Sequence, residues 1–293
     1  MQIKFALGPT ADRPSDGTDG TSESDVGTDV LRTRTLFGFD FISSHRIEAV
    51  AAQVLGPQPD DGLLPLVLTP NVDYLVRLSD PRLAELSSAL QRSRYVLPDG
   101  QPIVWTSQLM GTPLAARLPG SSLFPHLWRG VVDQGRRAVV VASNEETAER
   151  LRLEHPQIGV VVPPFFDADD PAQLALVLAD CQDQIDKIQP EFVFIGISFP
   201  KQQRIALALA EACAARGDQP PVFLTLGASF EMYLGLQRRA PRWMQRLGLE
   251  WFFRFLLEPR RLFVRYFVTD ARFALLLARE VANGTRRRRA HRS

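Results

Sequence analysis

The chain has 293 residues, 45% hydrophobic and 23% charged, enough for one large domain or two small ones with a sizeable core. No apolar run is long enough to cross a membrane, and the first residues lack the basic-then-apolar pattern of a secretory signal, so neither is expected. The net charge of +1 conceals an asymmetry: from Arg238 to Ser293 fifteen arginines face Glu250, Glu258, Asp270 and Glu280, a balance of +11 that leaves −10 on residues 1–237. A basic end on an acidic body points to an anionic partner for that end, a membrane surface or a nucleic acid.

In chain order, residues 9–30 are rich in Gly, Ser, Thr and Asp and cannot bury enough surface to offset chain entropy, so disorder is expected there. "LPLVLTPN" (64–71) reads as a buried strand ending in a polar loop. "DPRLAELSSALQRS" (80–93) reads as a helix with Asp80 as N-cap and Pro81 at its first position. "RYVLPDG" (94–100) is the next strand. "RAVVVASN" (137–144) reads as a strand, "EETAERLRLEH" (145–155) as a helix closed by Pro156, and "IGVVVPPFF" (158–166) as a strand. A helix over 171–189, a strand over 191–199, a helix over 200–217 and a strand over 221–230 follow. Apolar runs alternating with helices predict an α/β fold, a mostly parallel sheet covered on both faces. Cys181 and Cys213 fall in helices without metal or redox spacing and read as plain thiols in a reducing compartment.

In such a sheet, ligands bind beyond the carboxyl ends of the strands. Three polar punctuations fall there: Thr69-Pro70-Asn71, Asp99-Gly100, and Ser198 to Gln202. Asp99 reads either as a turn former after proline or as a carboxylate placed to accept a proton from an attacking hydroxyl. At "ISFPKQQR", Ser198 is a candidate cap. The free amides of the helix start, with Lys201, suit a diphosphate; an ordinary capped helix is the alternative. The Asp-x-Asp in "DADD" (167–170) resembles a metal-holding pattern but precedes Pro171 and a helix, so capping explains it better. His45, His126, His155 and His291 show no ligand spacing, and no metal or other cofactor is expected. In residues 238–267, Trp243, Met244, Leu247, Trp251, Phe252, Phe255 and Leu256 recur at helical spacing, interleaved with arginines that include Arg254, Arg260, Arg261 and Arg265. That pattern fits an interfacial helix, a core-packed helix pair or, with no recognisable nucleic-acid motif, an arginine-rich nucleic-acid binder.

These pieces, in this order, resemble the WecG/TagA/CpsF glycosyltransferase family. The resemblance rests on "TPN" (69–71), "LPDG" (97–100), "RLPG" (117–120), "VFIGISFPKQQ" (193–203), "LGASFEMYLGLQRRAPRWMQRLGLEWFFRFLLEP" (226–259) and "RY" (265–266), and covers about residues 35–270. It implies a Rossmann-like catalytic domain over 35–237, after an acidic N-terminal segment (1–34) and before an amphipathic, membrane-associating appendage (238–275) and a basic tail (276–293). It further implies an inverting, metal-independent transfer of an N-acetylmannosamine-type sugar from a UDP-sugar donor to a polyprenyl-diphosphate-linked sugar. The enzyme would be cytoplasmic and peripheral on an anionic membrane surface, with no nucleic-acid partner and with homo-oligomerisation left open. By position, Asp99 matches the proposed base. Thr69, Asn71, Arg117, Gly196, Lys201 and Gln202 match the substrate side, and Arg254, Arg260, Arg261 and Arg265 become candidates for the leaving diphosphate or the membrane. The chain departs from the family at Gln203 and Ser121-Ser122, which touch the implied donor pocket and bear on the sugar transferred, and also at Pro102 and Glu231. The rival reading is a non-catalytic, membrane-bound nucleotide-sugar-binding or scaffolding protein.

Overall fold

The computed structural model describes residues 31–237, Pro241, Met244, Phe253, 272–278 and 280–281. Arg254, Arg260, Arg261, Arg265 and most of the apolar positions of the appendage lie outside the described residues. An eight-stranded sheet has the order β1-β2-β4-β3-β8-β7-β5-β6. Its strands are β1 (Arg32–Leu36), β2 (Phe39–Ser43), β3 (Leu64–Leu68), β4 (Ser93–Val96), β5 (Ala138–Val141), β6 (Gly159–Val161), β7 (Phe192–Ile195) and β8 (Val222–Thr225). Only the β1–β2 hairpin is antiparallel. The sheet therefore begins within the last residues of the segment read as the acidic N-terminal one.

The mixed α/β fold with a mostly parallel sheet is as the alternation predicts, and the burial shows why. Along the central strands, Leu66, Leu68, Val139, Val141, Val193, Ile195 and Phe223 enter one core. Their neighbours Val67, Val140, Phe192, Phe194, Val222 and Leu224 enter the other. Alternate side chains point to opposite faces, so a strand apolar at every position must be covered twice. The first core is roofed by α2 (Val72–Leu78), α3 (Ala84–Leu90), α7 (Pro171–Ile188) and α8 (Lys201–Ala215), the second by α1 (Ile47–Leu55), α5 (Gly120–Asp133), α6 (Glu145–Glu154) and α9 (Ser229–Tyr233). Cys181 and Cys213 are buried free thiols, Cys181 within the first core, where burial pushes its thiol up to about 12.

Several boundaries differ from the sequence reading. The helix expected over 80–93 is a 3-10 turn (Pro81–Leu83) followed by α3, and Ser93 already belongs to β4. Asp80 does cap, accepting from the Arg82 N–H at 3.0 Å. The strand read over 158–166 is only β6, because Pro163 and Pro164 have no N–H for the ladder. The sequence pattern predicts no element between Gly100 and Arg137, where α4 (Gln101–Leu109) and α5 lie. Pro102 near the start of α4, and Gly120 and Pro125 within α5, suppress the local helix signal. α5 forms because Leu123, Phe124, Leu127, Trp128 and Val131 make one buried stripe.

No helix among the described residues is long and apolar enough to cross a membrane. At the amino ends of the strands, Arg136 donates to Glu191 Oε2 from Nε (3.0 Å) and Nη2 (2.6 Å), donates to the Leu55 carbonyl, and lies over the Phe192 ring at 4.6 Å. It thereby ties α1 to the starts of β5 and β7. The guanidinium's hydrogen bonds hold the Glu191 carboxyl below its usual range. A depressed carboxylate pKa stabilises the fold above the unfolded value near 4.3 and loses that contribution as pH falls through the folded value. Arg136→Ala should cost about 1–3 kcal/mol at pH 7 in urea unfolding, the lower end being favoured because Glu191 keeps 37% of its side-chain exposure. The deficit should narrow below about pH 4. An unchanged deficit in acid would remove the ion pair from the account.

Candidate active site

The inter-strand register levels the sheet at one edge. Leu68 stands opposite Val96 and Thr225, Thr225 opposite Ile195, Ile195 opposite Val141, and Val141 opposite Val161. The residues that follow continue the pattern: Leu97, Ala142, Gly196 and Leu226 donate N–H bonds of 2.8–3.0 Å to Leu68, Val161, Val141 and Ile195. Each loop beyond this line therefore leaves the sheet at the same height.

On the β3–β4 side the loops are held together through their backbones. Asp99 N–H donates to the Pro70 carbonyl (3.0 Å) and Leu118 N–H to the Pro98 carbonyl (2.8 Å), which brings Arg117 to the same edge. Asn71 Oδ1 accepts from Tyr74 N–H at 2.9 Å, so the polar end read as a loop is the N-cap of α2. Gly100, not Asp99, stands at the N-cap of α4. A Cβ on Gly100 would lie 3.7 Å from Asn71, and one on Gly120 would lie 3.2 Å from Thr69 and 3.3 Å from Ser229 Oγ. Thr69, Asn71, Asp99 and Arg117 are all half-buried at this edge of the sheet.

On the β5–β8 side lies a cleft of about 410 Å³, lined by Ser143, Pro163 to Phe166, Gly196 to Ser198, Lys201, Gly227, Ala228 and Glu231. It sits where the chain reverses, because β5 connects outward to β6 while β7 connects inward to β8. Gly196 and Lys201 are in its wall; Gln202 lies behind it. The buried Gln202 accepts the Gly227 N–H at 3.0 Å and so holds the β8–α9 loop against α8. Lys201 Nζ donates to the Phe166 carbonyl and lies 4.4 Å from the centroids of both Phe165 and Phe166. Ser198 does not cap α8, whose N-cap is Pro200, and the amides of Gln202, Gln203 and Arg204 already bond to the Ser198 and Pro200 carbonyls. Three of the amides expected to be free there are thus engaged, and Lys201 is the cation in the cleft wall.

The β8–α9 loop joins the two sides. Thr69 Oγ1 reaches the Thr225 carbonyl at 3.5 Å, and Ser229 faces Gly120. A second tie runs from α2, where Arg77 Nη2 donates to the Phe199 carbonyl (3.1 Å) and the Tyr74 ring packs on Phe199 at 4.7 Å. A larger cleft of about 510 Å³ lies at the amino ends of the strands, where Arg136 pairs with Glu191 and Arg216 with Asp218. The Asp-x-Asp stretch behaves as a cap: Asp170 accepts from the Ala172 and Gln173 N–H groups, while Asp169 pairs with Arg204.

Sequence reasoning missed Ser143, Phe165 and Phe166 and met Glu231 only as a departure from the family pattern. The rule that singled out Thr69 and Asp99 applies equally to "ASN" after β5 and "PPFF" after β6, where small, polar or ring residues follow a strand end. Gly196 admits no side chain, since a Cβ there would lie 2.3 Å from the Phe230 ring. Gly196→Ala should lower stability by about 1–3 kcal/mol through overpacking, read as a fall in thermal midpoint. A variant as stable as the parent would show that α9 is free to shift.

A model of the glycosyl transferase WecG/TagA/CpsF family matches residues 35–287. A Bacillus subtilis (strain 168) protein named N-acetylglucosaminyldiphosphoundecaprenol N-acetyl-beta-D-mannosaminyltransferase is 27% identical over 199 residues, 66% of this chain and 72% of the relative. A Bacillus spizizenii protein of the same name is 26% identical over 240 residues, 79% of this chain and 86% of the relative. A Staphylococcus aureus (strain MRSA252) protein, again of that name, is 23% identical over 178 residues, 59% and 65% of the two chains. The protein is thus a glycosyltransferase, and the chain belongs to the WecG/TagA/CpsF family.

Proposed function

We propose that the enzyme inverts the anomeric centre of a UDP-activated N-acetylmannosamine-type sugar while transferring it to a polyprenyl-diphosphate-linked sugar in cell-surface polymer synthesis. The relatives' names supply the acceptor class and the sugar. The observation that carries the reading is the levelled edge of the sheet. It holds Asp99 beside Thr69 and Asn71, and the β8–α9 loop next to them walls a cleft at the chain's reversal point. In this reading the donor lies in the cleft and the acceptor hydroxyl approaches from the β3–β4 side. Asp99 takes the hydroxyl proton as the new carbon–oxygen bond forms on one face of the anomeric carbon, and the bond to the leaving diphosphate breaks on the other. Lys201 and Arg117 offset the charge that develops on the diphosphate. In the Asp-x-Asp, Asp167 accepts the Asp169 N–H at 2.9 Å and Asp169 pairs with Arg204, which supports a transfer without a metal held there.

Purified full-length protein should release UDP from a UDP-sugar when a polyprenyl-diphosphate-sugar is supplied, and should continue in excess EDTA. Asp99→Asn should lower turnover by roughly 10²–10⁴-fold with donor affinity little changed. Wild-type turnover in that variant removes Asp99 from catalysis, and loss of activity in chelator, restored by Mg²⁺ or Mn²⁺, removes metal independence.

The acceptor stays in a bilayer, so the enzyme acts at the cytoplasmic membrane surface, held there by the segment that follows Arg238. Support comes from its +11 charge and its interleaved large apolar residues. Each arginine near an anionic surface is worth about 1 kcal/mol. Vesicles containing anionic lipid should sediment the full chain far better than a chain ending near Arg238, and more weakly as salt rises. Equal sedimentation of the two would end the membrane assignment of this segment.

A further inference from the structure

Exposed apolar side chains carry no message when they are scattered singly among charges. Leu153 on α6 is exposed beside the exposed Glu149 and Arg150, and Leu176 on α7 is exposed one turn before Asp180. α4 is different. Trp105 is 52% exposed and Leu109, one turn later, 79%. Spacing of three and four residues puts Trp105, Gln108 and Leu109 on one exposed face, while Ile103, Val104, Thr106 and Ser107 are buried. Gly111 and Pro113 are exposed just beyond the helix. From Gly100 to Ala116 no residue is charged, in a chain of which 23% is.

Both ends of this uncharged excursion are fixed to the edge that carries Asp99. It leaves at Gly100, whose carbonyl accepts the Ile103 N–H (3.1 Å). It returns where Ala115 N–H donates to Ser43 Oγ (3.0 Å) at the end of β2, and Leu118 N–H to the Pro98 carbonyl (2.8 Å). Ser107 Oγ braces the return by accepting the Leu114 N–H at 2.9 Å. A nine-residue helix is about 13 Å long, so the Trp105–Leu109 face stands within roughly that distance of the edge.

The acceptor proposed above is anchored in a bilayer, so its sugar meets Asp99 only where this edge comes down on the membrane. The arginines after Arg238 attract an anionic surface, but an attraction spread over a Debye length does not by itself fix which edge faces it. A short-range apolar contact does. Tryptophan favours the boundary between headgroups and acyl chains, and an uncharged helix face has no ion to strip of water there.

We propose that the Trp105–Leu109 face of α4 is a second membrane contact, which enters the outermost layer of the bilayer and turns the Asp99 edge toward the acceptor. This inference rests on the proposed lipid-linked acceptor. The test places one thiol in the full-length protein, Leu109→Cys or, as a control, Leu153→Cys, and labels it with an environment-sensitive fluorophore. Cys181 and Cys213 are buried, so the new thiol takes the label. Leu153 lies near the amino ends of the strands, since His155 Nε2 is 2.9 Å from the Arg136 carbonyl ahead of β5. On vesicles of phosphatidylcholine and phosphatidylglycerol without acceptor, the label at 109 should shift to shorter wavelength and lose most of its quenching by iodide. The label at 153 should keep its solution values. In unlabelled protein, Trp105→Gln combined with Leu109→Gln should lower the ratio of transfer to a vesicle-embedded acceptor over transfer to a water-soluble short-chain one by about 10-fold. The thermal midpoint checks that this double variant is folded. A label at 109 that stays as in solution while the protein sediments with vesicles overturns the proposal, as does equal shielding of both labels or an unchanged ratio. Shielding at 109 before vesicles are added assigns the face to the chain itself or a second copy, and shielding only with acceptor present assigns it to the prenyl chain; either overturns the bilayer contact. If the full chain does not sediment with vesicles at all, the membrane reading of the function fails, and this inference with it.

Discussion

The constraint on which the molecule depends is that six neighbouring parallel strands end on one line. Leu68, Val96, Thr225, Ile195, Val141 and Val161 stand in register across the sheet, so the loops that follow them start from a common edge. Parallel pairing by itself does not require this alignment, because strands can stagger. Here two-sided burial enforces it. A slip of one residue in β5 or β7 would exchange the side chains of the two cores. Thr225 Oγ1 adds a further pin by donating to the Val67 carbonyl at 2.9 Å, within the sheet interior.

The levelled edge becomes a site because aromatic packing beneath it locks the loops. Phe230 sits 4.7 Å from Phe124, and Phe124 meets Phe194 edge-on at 5.8 Å and stacks on Trp128 at 5.7 Å. Trp128 finds its polar partner in Glu154 at 2.7 Å, which closes the block without an orphaned N–H. Gly196 is the point where this core meets the cleft. Only a residue without a Cβ lets the Phe230 ring lie against the end of β7, and that contact sets α9 with Glu231 toward the ligand side. On the other face, Tyr74 and Phe199 do the same for the β7–α8 loop, and burial pushes the Tyr74 phenol up, keeping it neutral. Core packing and site geometry are therefore one arrangement, so substitutions in the aromatic block act on the cleft as well as on stability.

Charge is distributed with a similar division. At the amino ends of the strands, Arg136, Arg94 and Arg216 are each matched to an acid, and their work is structural. At the carboxyl ends, Lys201 is held by a carbonyl and two rings, which position an ammonium without neutralising it. Glu231 is held by a hydroxyl, which orients a carboxylate without discharging it. Neutral partners preserve the charge of a side chain for a ligand, whereas ion pairs consume it.

What the sequence determined by itself follows from local rules. Strand runs such as "AVVV" and "FVFI" are apolar at every position, which predicts double burial. Asp80 and Asp170 precede prolines and helical runs, and both cap. The residue pattern carried the family, and through it Arg117, while Thr69, Asn71 and Asp99 were marked by a local signal, a strand end followed by polar residues. Other features are not local. α5 forms around Pro125 and starts at Gly120 because its apolar stripe fills a core built from distant strands, a contribution that propensity does not register. Ser198 leaves α8 uncapped because backbone carbonyls reach the first amides, a choice of loop path rather than of residue type. Ser143 and Glu231 are 88 positions apart and meet only because β5 and β8 flank β7 in one register. Whether a side chain serves a cap, a core or a ligand depended on what the fold brought to its other side, and that was decided by the tertiary structure alone.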